Sequence, residues 1–214
     1  MNLGIVGTGV MGSVLFDYAV EEGTFKDIFL IEPKEENSWP EERMDLLIDF
    51  SHPAAMKGIY AYCRRQGGNI PVVLATTGYG PEEEKLIELL GKICPLDRSA
   101  NYSKGISVMT ALCEQACQLL GGKSDIRILE THHTKKKDAP SGTAKQLCRA
   151  VKLDPEDKEK VLSLRMGTVY GEHSVFFAME DEVVEIRHTA LSKKIFAIGA
   201  LEAGKRMLEG KRQR

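Results

Sequence analysis

The opening stretch of the chain constrains it most. Leu3 to Val6 is a short apolar run, and Gly7-Thr8-Gly9-Val10-Met11-Gly12 follows at once. Val10 to Glu22 then carries Met11, Val14, Leu15 and Tyr18 at spacings of three and four, the period of an amphipathic helix. A buried strand, a glycine turn and a helix in direct succession predict a strand–loop–helix unit. The glycines let the backbone turn tightly, and they admit an anion to the N–H groups of the helix start. A second apolar run, Asp27 to Glu32, ends on a carboxylate twenty residues after Gly12. There an acidic side chain accepts hydrogen bonds from ribose hydroxyls. The spacing predicts a dinucleotide site; the glycines alone are also compatible with a tight turn and no ligand.

The alternation continues. Met44 to Phe50 and Val72 to Ala75 read as strands, and Pro53 to Gln66 and Pro81 to Lys92 as helices. The second of these helices starts on a proline and three glutamates, which suit its positive end. This order predicts a parallel sheet covered by helices, an α/β domain. Between Glu32 and Met44 lie only eleven residues, read as a trimmed connection where another helix is common.

The second half has a different rhythm. Ser103 to Leu120 reads as a long helix, Ile126 to Thr131 as a strand and Gly142 to Val151 as a helix. Val161 to Arg165, Ser174 to Met179 and Val183 to His188 read as strands, the last two as a hairpin around Glu180-Asp181-Glu182. Strands with few helices between them predict an antiparallel or mixed sheet, an α+β domain. Lys193 to Leu208 reads as a closing amphipathic helix that returns to the first sheet. The expected division is a nucleotide domain of residues 1–101 and 192–214 and a smaller domain of residues 102–191, with hinges near Tyr102 and Leu191.

Charge and composition narrow the function classes. Lys+Arg 29 against Asp+Glu 31 leaves a net charge of −2, which disfavours a general nucleic-acid or membrane-surface binder. No apolar run reaches the roughly 18 residues of a membrane span. The start has no basic region followed by a leader, so no signal peptide is expected. Cys63, Cys94, Cys113, Cys117 and Cys148 are odd in number and lack CxxC spacing, as in a cytoplasmic protein with reduced core thiols.

The richest segment is Glu130-Thr131-His132-His133-Thr134-Lys135-Lys136-Lys137-Asp138-Ala139-Pro140-Ser141-Gly142-Thr143-Ala144. Two histidines and three lysines follow a strand, and a small-residue turn then opens a helix. Backbone N–H groups near Gly142 and Thr143, with the Ser141 and Thr143 hydroxyls, predict an anion site. Cations beside it imply a small polyanion such as a dicarboxylate, and a histidine can hand over a proton near neutral pH. Each part alone has a plainer reading: a solvated lysine face, one buried and one exposed histidine, a simple helix cap. No carboxylate or cysteine is seen at a spacing that supports a His-His metal centre, so no metal is expected.

This segment resembles the E-x-H-H-x-x-K-x-D-A-P-S-G-T-A signature of the 4-hydroxy-tetrahydrodipicolinate reductase (dihydrodipicolinate reductase) family. Further matches fall in the family's order: the N-terminal glycine loop, Asp49-Phe50-Ser51, Thr76-Thr77-Gly78, Ala100-Asn101-Tyr102-Ser103, Gly171-Glu172-His173, and Phe196-Ala197 with Gly199-Ala200. The resemblance implies a Rossmann-like nucleotide domain and a second domain for substrate binding and oligomerisation. It implies reduction of a cyclic, unsaturated imine dicarboxylate to tetrahydrodipicolinate with hydride from NAD(P)H, in diaminopimelate and lysine biosynthesis, by a cytoplasmic homotetramer. By the same resemblance, Gly7, Thr8, Gly9, Val10, Met11 and Gly12 bind the pyrophosphate and Glu32 the adenine ribose. Ala75, Thr76 and Thr77, with Ser99, Ala100, Asn101 and Tyr102, line the nicotinamide side. His132 is the proton donor and Lys136 assists it; His133, Lys136, Ser141, Gly142 and Thr143 hold the substrate carboxylates. Val10 and Pro33 stand where the family often has basic residues, with Lys34 one position further, and Lys193 stands where arginine is common. NADH is therefore the expected cofactor in preference to NADPH. Another two-domain Rossmann dehydrogenase acting on an amino or dicarboxylic acid, and a non-enzymatic NAD(H) sensor, are the competing readings.

Overall fold

The computed structural model describes residues 1–33, 39–120 and 122–212. Two compact units emerge: Met1–Tyr102 with Phe196–Arg214, and Ser103–Ile195. Residues 192–195, expected with the nucleotide domain, sit with the second unit, and Tyr102, expected with the second domain, sits with the first; from Ala197 onward the side chains of the C-terminal helix enter the first unit's core.

Unit 1 runs β1 (Asn2–Val6), α1 (Val10–Glu22), β2 (Asp27–Ile31), β3 (Leu46–Asp49), α2 (Met56–Arg65), β4 (Val72–Leu74), α3 (Pro81–Ile93), β5 (Leu96–Arg98) and, from the C-terminus, α6 (Lys194–Arg212). Its five strands are parallel in the order β2-β1-β3-β4-β5. The trimmed connection therefore carries the chain from one side of β1 to the other, and the crevice beside β1 and β3 is a topological switch point.

Both faces of this sheet are covered, which explains its continuous apolar strands. Leu3, Ile5, Leu46, Ile48 and Val73 pack with Leu15 and Ala19 of α1 and Ala197, Ala200 and Leu201 of α6. Alternate residues Val6, Leu47, Val72 and Leu74 meet Met56, Ile59 and Tyr62 of α2 and Ile87 and Leu90 of α3. Each fully buried aliphatic side chain contributes about 1.5–3 kcal/mol. Lys205 Nζ binds Glu22 Oε1 at 2.7 Å and ties α6 to α1.

Local departures from expectation have local causes. Pro53–Ala55 form a 3₁₀ turn ahead of α2, with His52 Nδ1 accepting from Ala54 N. Strand β5 carries no strand pattern in the sequence. It has three residues, two of them charged, and holds its place by pairing with β4.

Unit 2 contains α4 (Lys104–Leu120), β6 (Asp125–His132), α5 (Gly142–Val151), β7 (Val161–Arg165), β8 (Glu172–Ala178) and β9 (Val183–Thr189). The mixed sheet has the order β7-β6-β8-β9, with β6 and β7 parallel and the other pairs antiparallel. Ile106, Met109 and Cys113 of α4 and Leu147, Cys148 and Val151 of α5 cover Ile128, Val161, Val175 and Phe177. The register places His132 opposite Arg165, and Glu130 opposite His173. On the other sheet face Leu162 and Leu164 remain about half exposed, at 49% and 50%.

Candidate active site

Two clusters of functional groups stand out, one in each unit. In unit 1 they gather at the C-terminal ends of the parallel strands. Gly7 leaves β1 with φ +108°, and a Cβ there would lie 2.7 Å from Phe50 O. A Cβ on Gly12 would lie 1.8 Å from Gly7 O, so neither position has room for a side chain. Gly9, the N-cap of α1, has open space around it and offers no capping side chain, and the first turn carries no acidic residue. That helix start keeps its N–H groups and partial positive charge for an anion. Thr8 Oγ1 donates to Glu32 Oε2 at 2.7 Å, which aims the acidic side chain from the end of β2 toward the glycine loop. These features fit the pyrophosphate and ribose of a dinucleotide.

A cleft of about 390 Å³ lies alongside, lined by Met11, Phe50, Ser51, His52, Ala75, Thr76, Thr77 and neighbours. Ala75 N donates to Asp49 O at 2.9 Å and Ser99 N to Leu74 O at 3.2 Å, so the loops after β4 and β5 continue the strand ends. Ser99 Oγ bonds Asn101 O at 2.8 Å, and Tyr102 OH donates to Asp97 Oδ1 at 2.8 Å. Burial and that bond push the Tyr102 phenol up. Ala100 is exposed beside them.

In unit 2 the site is made of side chains. Glu130 and His132 are two apart on β6 and so share a face. Glu130 is fully buried; one carboxylate oxygen meets His132 Nδ1, and the other accepts from Arg165 at 2.8 Å and from Ser141 N at 3.3 Å. Burial pushes this carboxyl up, but the bonds from His132, Arg165 and Ser163 outweigh it and hold the acid at about 2. An ionised carboxylate only accepts, so His132 Nδ1 carries a hydrogen and donates it. The other ring nitrogen, Nε2, is the one not engaged by Glu130. A Cβ on Gly171 would sit 3.1 Å from Nε2, and the missing side chain keeps that edge clear.

His173 stands edge-on to His132, with ring centroids 5.1 Å apart, and its Nε2 lies 3.5 Å from Ser141 Oγ. Burial, then the His132 charge, pushes His173 down to about 3, so it is neutral at working pH. Arg165 also donates to Asp138 O, clamping the basic loop to the sheet. Lys136 Nζ pairs with Asp138 Oδ1 at 2.8 Å and is half-buried, whereas Lys135 and Lys137 are exposed. His133 is half-buried; desolvation, then the charges of Lys193, His132, Lys136 and Arg165, pushes its ring down. That excess of positive charge suits a small polyanion. Ser141 N-caps α5, its Oγ accepting from Ala144 N at 3.1 Å, with Gly142 and a buried Thr143 in the first turn.

The structure thus gathers His132, Lys136, His133, Ser141, Gly142 and Thr143 around the end of β6, and the glycine loop, Glu32 and residues 75–77 and 99–102 at the edge of the first sheet. Sequence reasoning gave no role to Glu130, Arg165 or His173. The Glu-x-His spacing on a strand signals the first; only the sheet register brings in the other two. A carboxylate does therefore stand beside His132, contrary to the sequence reading, and the ligand atoms of Glu130, His132 and His173 lie within 4.8 Å of one another. Both Glu130 oxygens are engaged by His132 and Arg165, a set suited to acid–base work.

Comparison with known proteins supplies what geometry alone does not. Residues 1–102 match the family profile described as dihydrodipicolinate reductase, N-terminus, and residues 105–214 match its C-terminus counterpart. A 4-hydroxy-tetrahydrodipicolinate reductase from an Exiguobacterium strain is 37% identical, covering 98% of this chain and 91% of its own. One from Thermosipho africanus is 39% identical, covering 99% and 93%. Among solved structures, a dipicolinate-bound dihydrodipicolinate reductase from Paenisporosarcina has a TM-score of 0.72 at 19% identity, covering 98% of this chain and 95% of that one. A myo-inositol dehydrogenase from Corynebacterium glutamicum reaches 0.63 at 10% identity, covering 98% and 88%. Such distant likenesses establish the fold alone, and that fold serves more than one chemistry.

Proposed function

This chain belongs to the dihydrodipicolinate reductase family, and on that premise we propose how its groups divide the work of reducing 4-hydroxy-tetrahydrodipicolinate to tetrahydrodipicolinate. The protein is a pyridine-nucleotide-dependent oxidoreductase of diaminopimelate and lysine biosynthesis. The observation that carries the division of labour is the buried Glu130–His132 pair at the mouth of a cationic loop.

A reduced nicotinamide supplies the hydride. Gly7 to Gly12 take the pyrophosphate against the start of α1, Glu32 takes the ribose hydroxyls, and Ala75 to Thr77 with Ser99 to Tyr102 border the nicotinamide. Loss of the 4-hydroxyl with a ring proton, as water, leaves an unsaturated system, and hydride addition to one end of it calls for a proton at the other. His132 gives it from Nε2, while Glu130 holds Nδ1–H and stabilises the imidazolium before transfer. His133, Lys136, Ser141, Gly142 and Thr143 bind the substrate's two carboxylates, with Lys136 exchanging Asp138 for the substrate. The open sheet face around Leu162 and Leu164 receives a second copy of the chain within a cytoplasmic homotetramer.

NADH is preferred over NADPH. Glu32 accepts from ribose hydroxyls and repels a 2′-phosphate, while Val10 is exposed and uncharged and Pro33 lacks an N–H. Lys34 lies outside the described residues. A missing charge-assisted contact is worth roughly 1.5–3 kcal/mol, about one to two decades in affinity.

The test is steady-state loss of reduced-nicotinamide absorbance with enzymatically generated substrate, run with both cofactors at fixed salt. Turnover with a lower KM for NADH is expected. No turnover with either cofactor rejects the activity, and a KM for NADPH at or below that for NADH rejects the preference.

A further inference from the structure

Asp49 ends the central strand β3 and is 1% exposed. Burying a carboxylate is costly unless donors satisfy it, and among the described residues no salt bridge reaches it. Its partners are neutral. Ser51 N donates to Oδ1 at 3.1 Å, Ser51 Oγ binds the same oxygen, and Tyr79 OH donates to Oδ2 at 3.2 Å. Ser51 N is shared with Thr76 Oγ1 at 3.0 Å, and Ala75 N bonds the Asp49 carbonyl. One buried side chain therefore gathers the segments after β3 and β4, and those segments line the cleft beside the glycine loop. The Tyr79 ring is itself held under Arg98 at 4.8 Å, and Arg98 is paired with Glu84 on α3.

An apolar residue would close this core with less desolvation, so packing does not explain an acid here. A carboxylate can accept several donors at once from different directions, which no apolar side chain does. We propose that Asp49 is the positioning residue of the cofactor cleft: it fixes Ser51, Thr76 and Tyr79, and through them the walls against which the nicotinamide end of the cofactor lies. The inference rests on the reading that this cleft takes a nicotinamide cofactor. Asp49 touches neither cofactor nor substrate; its effect passes through the loops.

The test compares Asp49→Leu, Asp49→Asn and the unmodified protein by NADH titration, by KM for NADH and for the dicarboxylate, and by melting temperature. Asp49→Leu is expected to raise the KM and Kd for NADH by about tenfold or more, the scale of losing a charge-assisted hydrogen bond. The KM for the dicarboxylate, bound in unit 2, should stay within about twofold. Asp49→Asn should recover most of the loss, because its amide oxygen still accepts from Ser51 while its amide N–H donates to the Tyr79 hydroxyl oxygen. An Asp49→Leu protein that binds NADH normally overturns the inference; so does one whose two KM values and melting temperature worsen together without rescue by asparagine. If the leucine variant fails to fold, Ser51→Ala with Tyr79→Phe replaces it, and an unchanged KM for NADH in that pair overturns the inference. An unmodified protein that does not bind NADH overturns the functional reading itself, a result distinguishable from the others.

Discussion

The two sites are built from different material. In unit 1 the cofactor cleft is mostly backbone: glycines whose missing side chains let strand and helix approach, N–H groups at a helix start, and loop ends tethered to Asp49. In unit 2 the acid site is mostly side chain. Glu130, Arg165, His132 and His173 come from three strands and interlock through charge and hydrogen bonds. Backbone sites tolerate a change of side chain where the glycines are kept. A buried charged network does not tolerate loss of one member, because its partner keeps the desolvation cost. Substitutions in unit 2 should therefore be the more damaging.

The largest effect belongs to the acid itself. His132→Ala should lower kcat by about 10²–10⁴-fold with little change in NADH affinity, measured by steady-state rates beside a direct titration. Equal kcat would remove His132 from the chemistry and the contrast between the sites with it.

Next is Arg165→Met, which leaves the Glu130 carboxylate buried with one cationic partner fewer. Removing one member of such a pair costs about 3–5 kcal/mol, read as a fall in denaturation midpoint. A substitution that leaves the midpoint unchanged would mean that Glu130 does not depend on the guanidinium.

Lys136→Ala should raise the KM for the dicarboxylate by about tenfold, in line with one charge-assisted contact. Lys135→Ala and Lys137→Ala, at exposed positions, should leave it nearly unchanged. Three variants that behave alike would mean a diffuse field in place of a defined contact.

The smallest effect near neutral pH is in the pH dependence of stability. His173 is neutral when folded, with a pKa pushed to about 3 from 6.5, mainly by burial. Below pH 6.5 the unfolded chain binds a proton that the folded one refuses, so stability falls as pH drops from 6.5 toward 3. The slope approaches about 1.4 kcal/mol per pH unit from this group. Glu130, lowered from 4.5 to about 2, adds a loss of the same sign from pH 4.5 downward. His173→Phe should flatten the higher part of that slope in denaturant titrations. An unchanged slope would show that His173 titrates freely.

Much of the fold was legible because local patterns and tertiary demands agree. Helices α1 and α5 and strand β7 begin and end where the periodicity and the turn residues place them. The edge strand β5 was not legible, because three residues with two charges carry no period and only pairing with β4 defines them. The ends of α2 and α6 moved for like reasons: a proline imposes a 3₁₀ turn on one, and the other runs on past its last apolar residues.

What the sequence by itself determined was the chemistry available at each site: glycines at fixed spacing, an acid after β2, histidines and lysines before a capped helix. Those signals are local, since a turn, a cap or a helix start depends on neighbours in the chain. The tertiary structure alone decided which side chains act on one another. Arg165 reaches Glu130 because β7 runs parallel to β6 in one register, and His173 faces His132 because β8 pairs antiparallel in another. A slip of one residue in either pairing would turn Arg165 or His173 to the opposite sheet face, since side chains alternate along a strand. No pattern of neighbours along the chain encodes that registration; it follows from packing Ile128, Val175 and Phe177 against α4 and α5.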